Sequence, residues 1–299
     1  MAVDGILSTA FAVINSDSVS IKEVIIMLVD FHMHSTASDG VMRPLDLRAA
    51  NKAAGIKMMS LTDHDMIDGF MTMLKEPDLD IAVIPGCEFS STYKDKDVHI
   101  LGYAFDYTNK ELNDYLTFFK ESRENRIFKM IDLLVKDGYD VSVEEFKETF
   151  PNASSLGRPL LAQLLINKGY LKTVDEGFET LLRRGSPYYV PKFKADPLDV
   201  INLIHDANGL AVMAHPKLIK NDDYVQELLQ LPFDGIEVYH IIHKKEDEAR
   251  YRKMAILRKL LITGGSDFHG IETKLPKAIG DYLIQSESVA DFLHVLQAH

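Results

Sequence analysis

The feature that most constrains this chain is a series of short apolar runs, several of them followed within a few residues by a histidine or an acid. Candidate strands fall at 27–31, 58–61, 82–85, 98–103, 210–214, 235–239, 260–263 and 278–284. The motifs are His32-Met33-His34, Thr62-Asp63-His64-Asp65, Gly86-Cys87-Glu88, Val98-His99, Ala214-His215-Pro216 and Ser266-Asp267-Phe268-His269, and most of them follow such a run. Amphipathic helical patterns lie between the runs. One opens at Pro44, with proline in its first turn, and stops near Gly55; another, from Pro197, precedes Asn208-Gly209. Repeated strand–helix units imply an α/β chain with a parallel sheet, and this many units can close into a barrel. Such barrels build their sites at the carboxyl ends of the strands, where these motifs fall.

The middle breaks the alternation. From about 109 to 184 the pattern is helical, with Leu112, Leu116, Phe119, Ile127, Ile131 and Leu134 near helical spacing and shorter helices at 159–168 and 176–184. The expected organisation is therefore a barrel from 28–105 and 186–299, with 106–185 as a helical insertion that acts as a lid. Residues 1–27 are expected to be an N-terminal extension. Asp4 stands where a signal peptide needs positive charge, and Asp17, Lys22 and Glu23 interrupt any run long enough to span a membrane. Met27 is a candidate natural start.

Charge and cysteine usage exclude some functions. Lys and Arg number 33 against 45 Asp and Glu, a net charge of −12, which disfavours a long nucleic acid as partner. Small anionic substrates fit only if metal ions supply local positive charge. The single cysteine, Cys87, allows no internal disulfide and no cysteine-based zinc site, and it fits a cytoplasmic location.

The motifs carry metal-ligand chemistry. Residues i and i+2 of a strand share a face, so His32 and His34 can offer two imidazoles to one ion. His64, His99, His215 and His269 add imidazoles, Asp39 and Asp267 add carboxylates, and Glu88 is a candidate bridging carboxylate. Mixed nitrogen and oxygen donors without thiolates suit catalytic ions such as zinc, iron or manganese. Taken singly, each motif has an ordinary explanation. Asp39-Gly40 can be a turn, Thr62-Asp63-His64-Asp65 a helix cap with surface charges, Glu88 a salt-bridged acid and His215-Pro216 a strand end. All of these would have to hold at once on successive strand ends.

The ordered set His32-x-His34, Asp39, Thr62-Asp63-His64, Glu88, His99, His215-Pro216 and Asp267-x-His269 resembles the PHP (polymerase and histidinol phosphatase) superfamily of metal-dependent phosphoesterases. Gly185 to Pro191, Gly235-Ile236-Glu237-Val238-Tyr239-His240 and Gly157-Arg158-Pro159 look like the branch acting on nucleoside 3′,5′-bisphosphates and short RNA ends, with a departure at Leu160, where relatives often carry histidine. The resemblance implies a distorted seven-stranded (β/α) barrel with a trinuclear centre. It places His32, His34, Glu88 and Asp267 on a first ion, Glu88, His99 and His215 on a second, and Asp39, His64 and His269 on a third.

Three divalent ions and three carboxylates leave a local charge of about +3, enough to hold a phosphate monoester. A water shared by two ions would then attack phosphorus in line. His240 is a candidate proton donor or phosphate contact, with a supporting role beside the ligands as the alternative. Arg123 and Arg126 share a helix face and, with Arg158, are candidates to grip a second phosphate; a solvated face with Glu121 and Glu124 is the alternative for the first two. His205, His243, His294 and His299 are expected at the surface. The leading reading is a phosphoesterase for small nucleotides or the 5′ ends of short RNA. Histidinol-phosphate phosphatase is the alternative within the class, and a metal-stabilised scaffold without turnover is the alternative outside it.

Overall fold

The computed structural model describes residues 27–151 and 156–298, so the expected extension lies outside the described residues except for Met27. The chain divides into two compact units. One holds the residues up to Asn113 together with those from Ala195 onward, and the other is Asp114–Lys194.

The first unit is mixed α/β. In one sheet, β1 (Leu28–Asp30), β2 (Ile56–Ser60) and β3 (Ala82–Ile84) run parallel. The other sheet starts with β4 (Gly86–Tyr93) and β5 (Lys96–Tyr103), an antiparallel hairpin, and continues through β6 (Leu210–Met213), β7 (Gly235–His240) and β8 (Leu261–Gly265). β5 and β6 are antiparallel, whereas β6, β7 and β8 are parallel. A short β9 (Ile284–Gln285) pairs antiparallel with β1, so the apolar run at 278–284 is loop over most of its length. The sheets are therefore mixed where the sequence implied parallel pairing.

The cause is a two-residue turn at Lys94-Asp95, both with positive φ (45° and 68°), which folds 86–103 into a hairpin. Glu88 consequently lies inside a strand, opposite Leu101, and His99 lies opposite Ser90, rather than at carboxyl ends of parallel strands.

The edges of the two sheets meet twice. Met33 bridges to Phe268, His34 N–H donates to Phe268 O (2.9 Å), and Asp267 N–H donates to His32 O (2.7 Å). On the other side His64 bridges to Glu88, and Asp65 N–H donates to Glu88 O (3.0 Å). The first meeting requires glycine, because a Cβ on Gly265 would overlap the Cβ and backbone nitrogen of His32.

Helices cover the sheets: α1 (Pro44–Ala53), α2 (Asp68–Lys75), and, later in the chain, α10 (Ala290–Ala298). Phe31, Tyr103 and Phe292 are fully buried and meet edge to face, with centroids 5.2–6.4 Å apart. Each such ring contributes roughly 1.5–3 kcal/mol through burial. Tyr103 Oη donates to Phe31 O (2.8 Å), tying the hairpin to the chain just ahead of His32.

The second unit is helical. It contains most of α3 (Lys110–Lys136), then α4 (Val143–Thr149), α5 (Arg158–Asn167) and α6 (Val174–Glu179). Ile127, Ile131, Leu134, Phe146, Leu161, Leu165 and Leu182 form its core. α6 starts and ends earlier than the periodicity suggests, because Thr173 caps it by accepting from Glu176 N–H (3.1 Å). The chain returns through α7 (Pro197–Asp206), α8 (Asp222–Leu228) and α9 (Lys245–Arg258). Among the described residues no helix is long and apolar enough to cross a membrane.

Candidate metal centre

Glu88 is the hub of the site. Its carboxylate is buried and touches imidazoles from every side. Oε2 lies 3.3 Å from His32 Nε2, 3.2 Å from His34 Nε2 and 3.1 Å from His64 Nδ1. Oε1 lies 2.7 Å from His99 Nδ1 and 2.8 Å from His215 Nε2. The two oxygens thus face different histidine groups, as a bridging ligand requires. Asp267 Oδ1 sits 3.4 Å from His32 Nε2 and 3.1 Å from His34 Nε2. Asp39 Oδ1 lies 3.3 Å from His269 Nε2, 3.6 Å from His34 Nδ1 and 3.9 Å from His64 Nε2.

Donor atoms close enough to share one ion group as His32, His34, Glu88 and Asp267; as His34, Asp39, His64 and His269; and as His64, Glu88 and His99. The first set is the donor set expected for a first ion. The second adds His34 to the expected third set. In the group around His99, His64 stands where His215 was expected, while His215 reaches the same Glu88 oxygen from another side.

The donors fit metal ions rather than a hydrogen-bonded core. His32 Nε2, both ring nitrogens of His34, His64 Nδ1 and His269 Nε2 are buried without a hydrogen-bond partner. Buried polar atoms are almost always paired, so a cluster of orphaned imidazole nitrogens beside carboxylates marks positions for cations. Backbone strain accompanies them: Asp267 has φ 54° and His215 φ 20°.

The electrostatics agree. Burial opposes ionisation of His34, yet Asp267 and Glu88 override it and push its pKa up to about 10. Burial likewise opposes protonation of His32, and Glu237, Glu88 and Asp267 carry its pKa well above the usual imidazole range. Glu88 and Asp267 are held well below the carboxylate range, against burial, by His64, His99 and His32 for the former and by His32, His240 and His34 for the latter. Burial lowers His64 and His215. The carboxylate field that draws protons to His32 and His34 also favours a metal ion, whose binding displaces those protons.

Supporting residues hold the donors in place, and of these the sequence had offered only Asp63, beside His64, as a supporting or capping group. Glu237, fully buried, accepts from His32 Nδ1 (2.9 Å) through one oxygen and from His215 N–H (2.7 Å) through the other. Asp30 Oδ1 accepts from His32 N–H (3.2 Å) and Ser266 N–H (2.9 Å). Asp63 accepts from Ser35 N–H (2.8 Å), Ser35 Oγ (2.8 Å) and Ser38 Oγ (2.6 Å), shaping the loop that presents Asp39. Lys274 brings its ammonium 3.7 Å from Asp39 Oδ2. The only sequence signal for any of these was their place within or beside the motifs.

His240 is buried, with Nε2 3.3 Å from Asp267 Oδ2. Its Nδ1 accepts from Ile242 N–H (3.3 Å), so the ring proton resides on Nε2, facing the cluster. His243 is not at the surface as expected. It is 7 % exposed and donates from Nδ1 to Val238 O (2.8 Å), because the turn after β7 folds it back against Tyr251.

Within the helical unit Arg126 is buried and donates from Nε to Val190 O (2.7 Å), so the solvated-face alternative does not hold for it. Arg158 donates from Nη1 to Leu182 O (3.0 Å) and lies over the rings of Phe178 (4.6 Å) and Tyr189 (5.6 Å). Arg126 also lies over Tyr189 (5.4 Å). Burial, and then the neighbouring Arg158, push the Arg126 pKa down. Arg123 adds further positive charge to Arg126's surroundings.

Imidazoles and carboxylates that converge on one buried glutamate in a mixed α/β unit form a cluster able to bind metal ions. The model of the PHP domain matches residues 30–259. The chain is 29% identical over 255 residues to a phosphoribosyl 1,2-cyclic phosphate 1,2-diphosphodiesterase of Eggerthella lenta, covering 84% of this chain and 97% of the relative. It is 30% identical to a 5′-3′ exoribonuclease of Haemophilus influenzae (80% and 89% covered) and 30% identical to a 3′,5′-nucleoside bisphosphate phosphatase of Chromobacterium violaceum (81% and 87%). A solved structure of a candidate metal-dependent phosphoesterase from Bifidobacterium adolescentis superposes with a TM-score of 0.72 at 25% identity, covering 89% of this chain and 95% of that one. The chain belongs to the PHP-domain family of metal-dependent phosphoesterases, and is a hydrolase.

Proposed function

We propose that this hydrolase removes phosphate from small nucleotides, 3′,5′-bisphosphates foremost, or cleaves at the 5′ ends of short RNA. The observation that carries the reading is Glu88, whose two oxygens face separate histidine groups next to orphaned imidazole nitrogens. His32, His34, Glu88 and Asp267 would hold one ion, Glu88, His99 and His215 a second, and Asp39, His64 and His269 a third. Imidazole-rich donors suit manganese, zinc or iron. Such ions, when bound, supply Lewis-acid charge that acidifies water and neutralises phosphate oxygens.

The chain's own groups do the rest. His240 Nε2–H, 3.3 Å from Asp267 Oδ2, would donate a hydrogen bond to the leaving oxygen or to a phosphate oxygen, with Asp267 orienting the ring. Lys274, 3.7 Å from Asp39 Oδ2, would meet a phosphate oxygen. Arg158, with Arg123 and Arg126, would hold the second phosphate of a bisphosphate, consistent with segment 106–185 serving as a lid. The hydrogen bonds joining the two sheet edges support a closed, distorted seven-stranded barrel.

The test is release of phosphate from adenosine 3′,5′-bisphosphate, AMP and histidinol phosphate, ring opening of phosphoribosyl 1,2-cyclic phosphate, and release of mononucleotides from a 5′-phosphorylated short RNA, with Mn²⁺ or Zn²⁺. Activity on the bisphosphate or RNA that His34→Ala abolishes supports the reading. Activity confined to histidinol phosphate or the cyclic phosphate replaces it with that substrate. Metal binding with no turnover on any member points to a scaffold. Arg158→Ala should raise KM for the bisphosphate more than for AMP, and equal effects would remove Arg158 from the substrate contacts.

A further inference from the structure

A groove on the helical unit lies between one face of α3 and the segment 190–193 and encloses about 380 Å³. Phe118, Ser122, Asn125 and Lys129 line it from the helix, at the i, i+4, i+7 and i+11 spacing of a single face. Lys192 and Phe193 line it from the segment. The bond from Arg126 Nε to Val190 O anchors the segment to the helix. Arg126 also lines the groove, is 6 % exposed, and keeps Nη2 buried without a hydrogen-bond partner.

Two properties of this groove stand out against the rest of the chain. Phe118 and Phe193 meet edge to face at 5.0 Å yet remain 47 % and 44 % exposed. Phe119 supports Phe193 from behind at 5.9 Å, so the exposed ring is held in place. Arg126, Lys129 and Lys192 line it with a single lining carboxylate, Glu121, on a chain of net −12. Held aromatic faces beside lysines and arginine are the combination that binds single-stranded nucleic acid, with bases stacking on rings and cations meeting phosphates. The volume is at the small end of ligand sites, enough for about one nucleotide unit.

We propose that this groove binds a segment of single-stranded oligonucleotide, a base against Phe193 and Phe118 and backbone phosphates against Lys129 and Lys192, with the Arg126 charge behind them. The choice of occupant rests on the nucleotide-phosphoesterase reading, whereas the groove's chemistry stands apart from it. The groove is too short to need the broad basic surface that a long duplex requires.

The test is fluorescence anisotropy of metal-loaded protein with a labelled 5′-hydroxyl RNA decamer, which presents no terminal phosphate to the metal centre. Phe193→Ala should weaken binding about tenfold, and Phe193→Tyr should restore it, because both aromatic rings stack. Lys129→Ala should make the salt dependence shallower by about 0.7 in the slope of log K against log salt. Thermal melting of each variant at the wild-type temperature shows that the fold is intact. No wild-type binding to the decamer, or wild-type affinity in both Phe193→Ala and Lys129→Ala, overturns the proposal. If the substrate panel is silent while Phe193→Ala still weakens decamer binding, the groove stands and the substrate reading falls. If the panel is active and the variants bind normally, the reverse holds.

Discussion

Glu237→Gln isolates the support behind the metal centre. Glu237 accepts two hydrogen bonds, from His32 Nδ1–H at 2.9 Å and from His215 N–H at 2.7 Å. The first holds the His32 proton on Nδ1 and leaves Nε2 to face Glu88 and Asp267. Glutamine can satisfy only one of the two donors. If its oxygen stays on His215 N–H, its NH2 confronts His32 Nδ1, and the ring must move its proton to Nε2, the atom meant for the ion. If its oxygen stays on His32, the NH2 confronts His215 N–H in a fully buried position. A buried donor left unpaired costs about 1–3 kcal/mol. Loss of a hydrogen-bond partner behind a ligand typically weakens metal binding by about 10–100-fold, or about 1.4–2.8 kcal/mol. Competition of the protein with a chromophoric chelator for Zn²⁺ or Mn²⁺ reads this directly. The variant should bind about 10–100-fold more weakly and lose activity at limiting metal, with partial recovery at excess. Affinity and turnover within twofold of wild type would refute the argument.

Three further outcomes follow from the same geometry. Gly265→Ala drives a Cβ into the backbone of His32, so it should cost about 1–3 kcal/mol in urea melts and, by displacing His32, lower kcat by about 100-fold. Chelation should lower Tm and abolish turnover, with both restored by Mn²⁺ or Zn²⁺, because each site occupied at about 100 times its Kd adds about 2.7 kcal/mol. An unchanged Tm on chelation would remove the cluster as a metal site. His243 is kept neutral by burial, which lowers its pKa to about 4 from 6.5. The unfolded chain therefore takes up a proton that the folded one refuses, and stability falls as pH drops from 6.5 towards 4, by up to about 3 kcal/mol. In EDTA, His243→Asn should show a smaller loss between pH 7 and 4.5 than wild type, and an equal loss would contradict the assignment.

The donor residues were legible in the sequence because metal ligation leaves residue types and spacings that chance rarely repeats. His32, His34, Glu88 and Asp267 converge as their motifs implied. The helices were legible where proline and apolar periodicity mark them, as in α1 from Pro44 and α7 from Pro197. The hairpin was not. Its turn, Lys94-Asp95, lacks the glycine or asparagine that usually signals positive φ, so 86–93 read as the end of a strand rather than a strand. The basic, aromatic groove was equally hidden, since Phe118 and Phe193 are 75 residues apart and meet only in three dimensions.

The sequence by itself determined the chemistry: nitrogen and oxygen donors without thiolates, on an acidic chain. Only the tertiary structure decided which donors lie close enough to share an ion. It also showed that Glu237 braces His32 and His215 at once, and that Arg126 and His243 are buried. The reason is physical. Ligand identity is a property of one residue at a time, whereas bridging, tautomer and burial depend on atoms brought within about 3 Å across strands that the sequence keeps far apart.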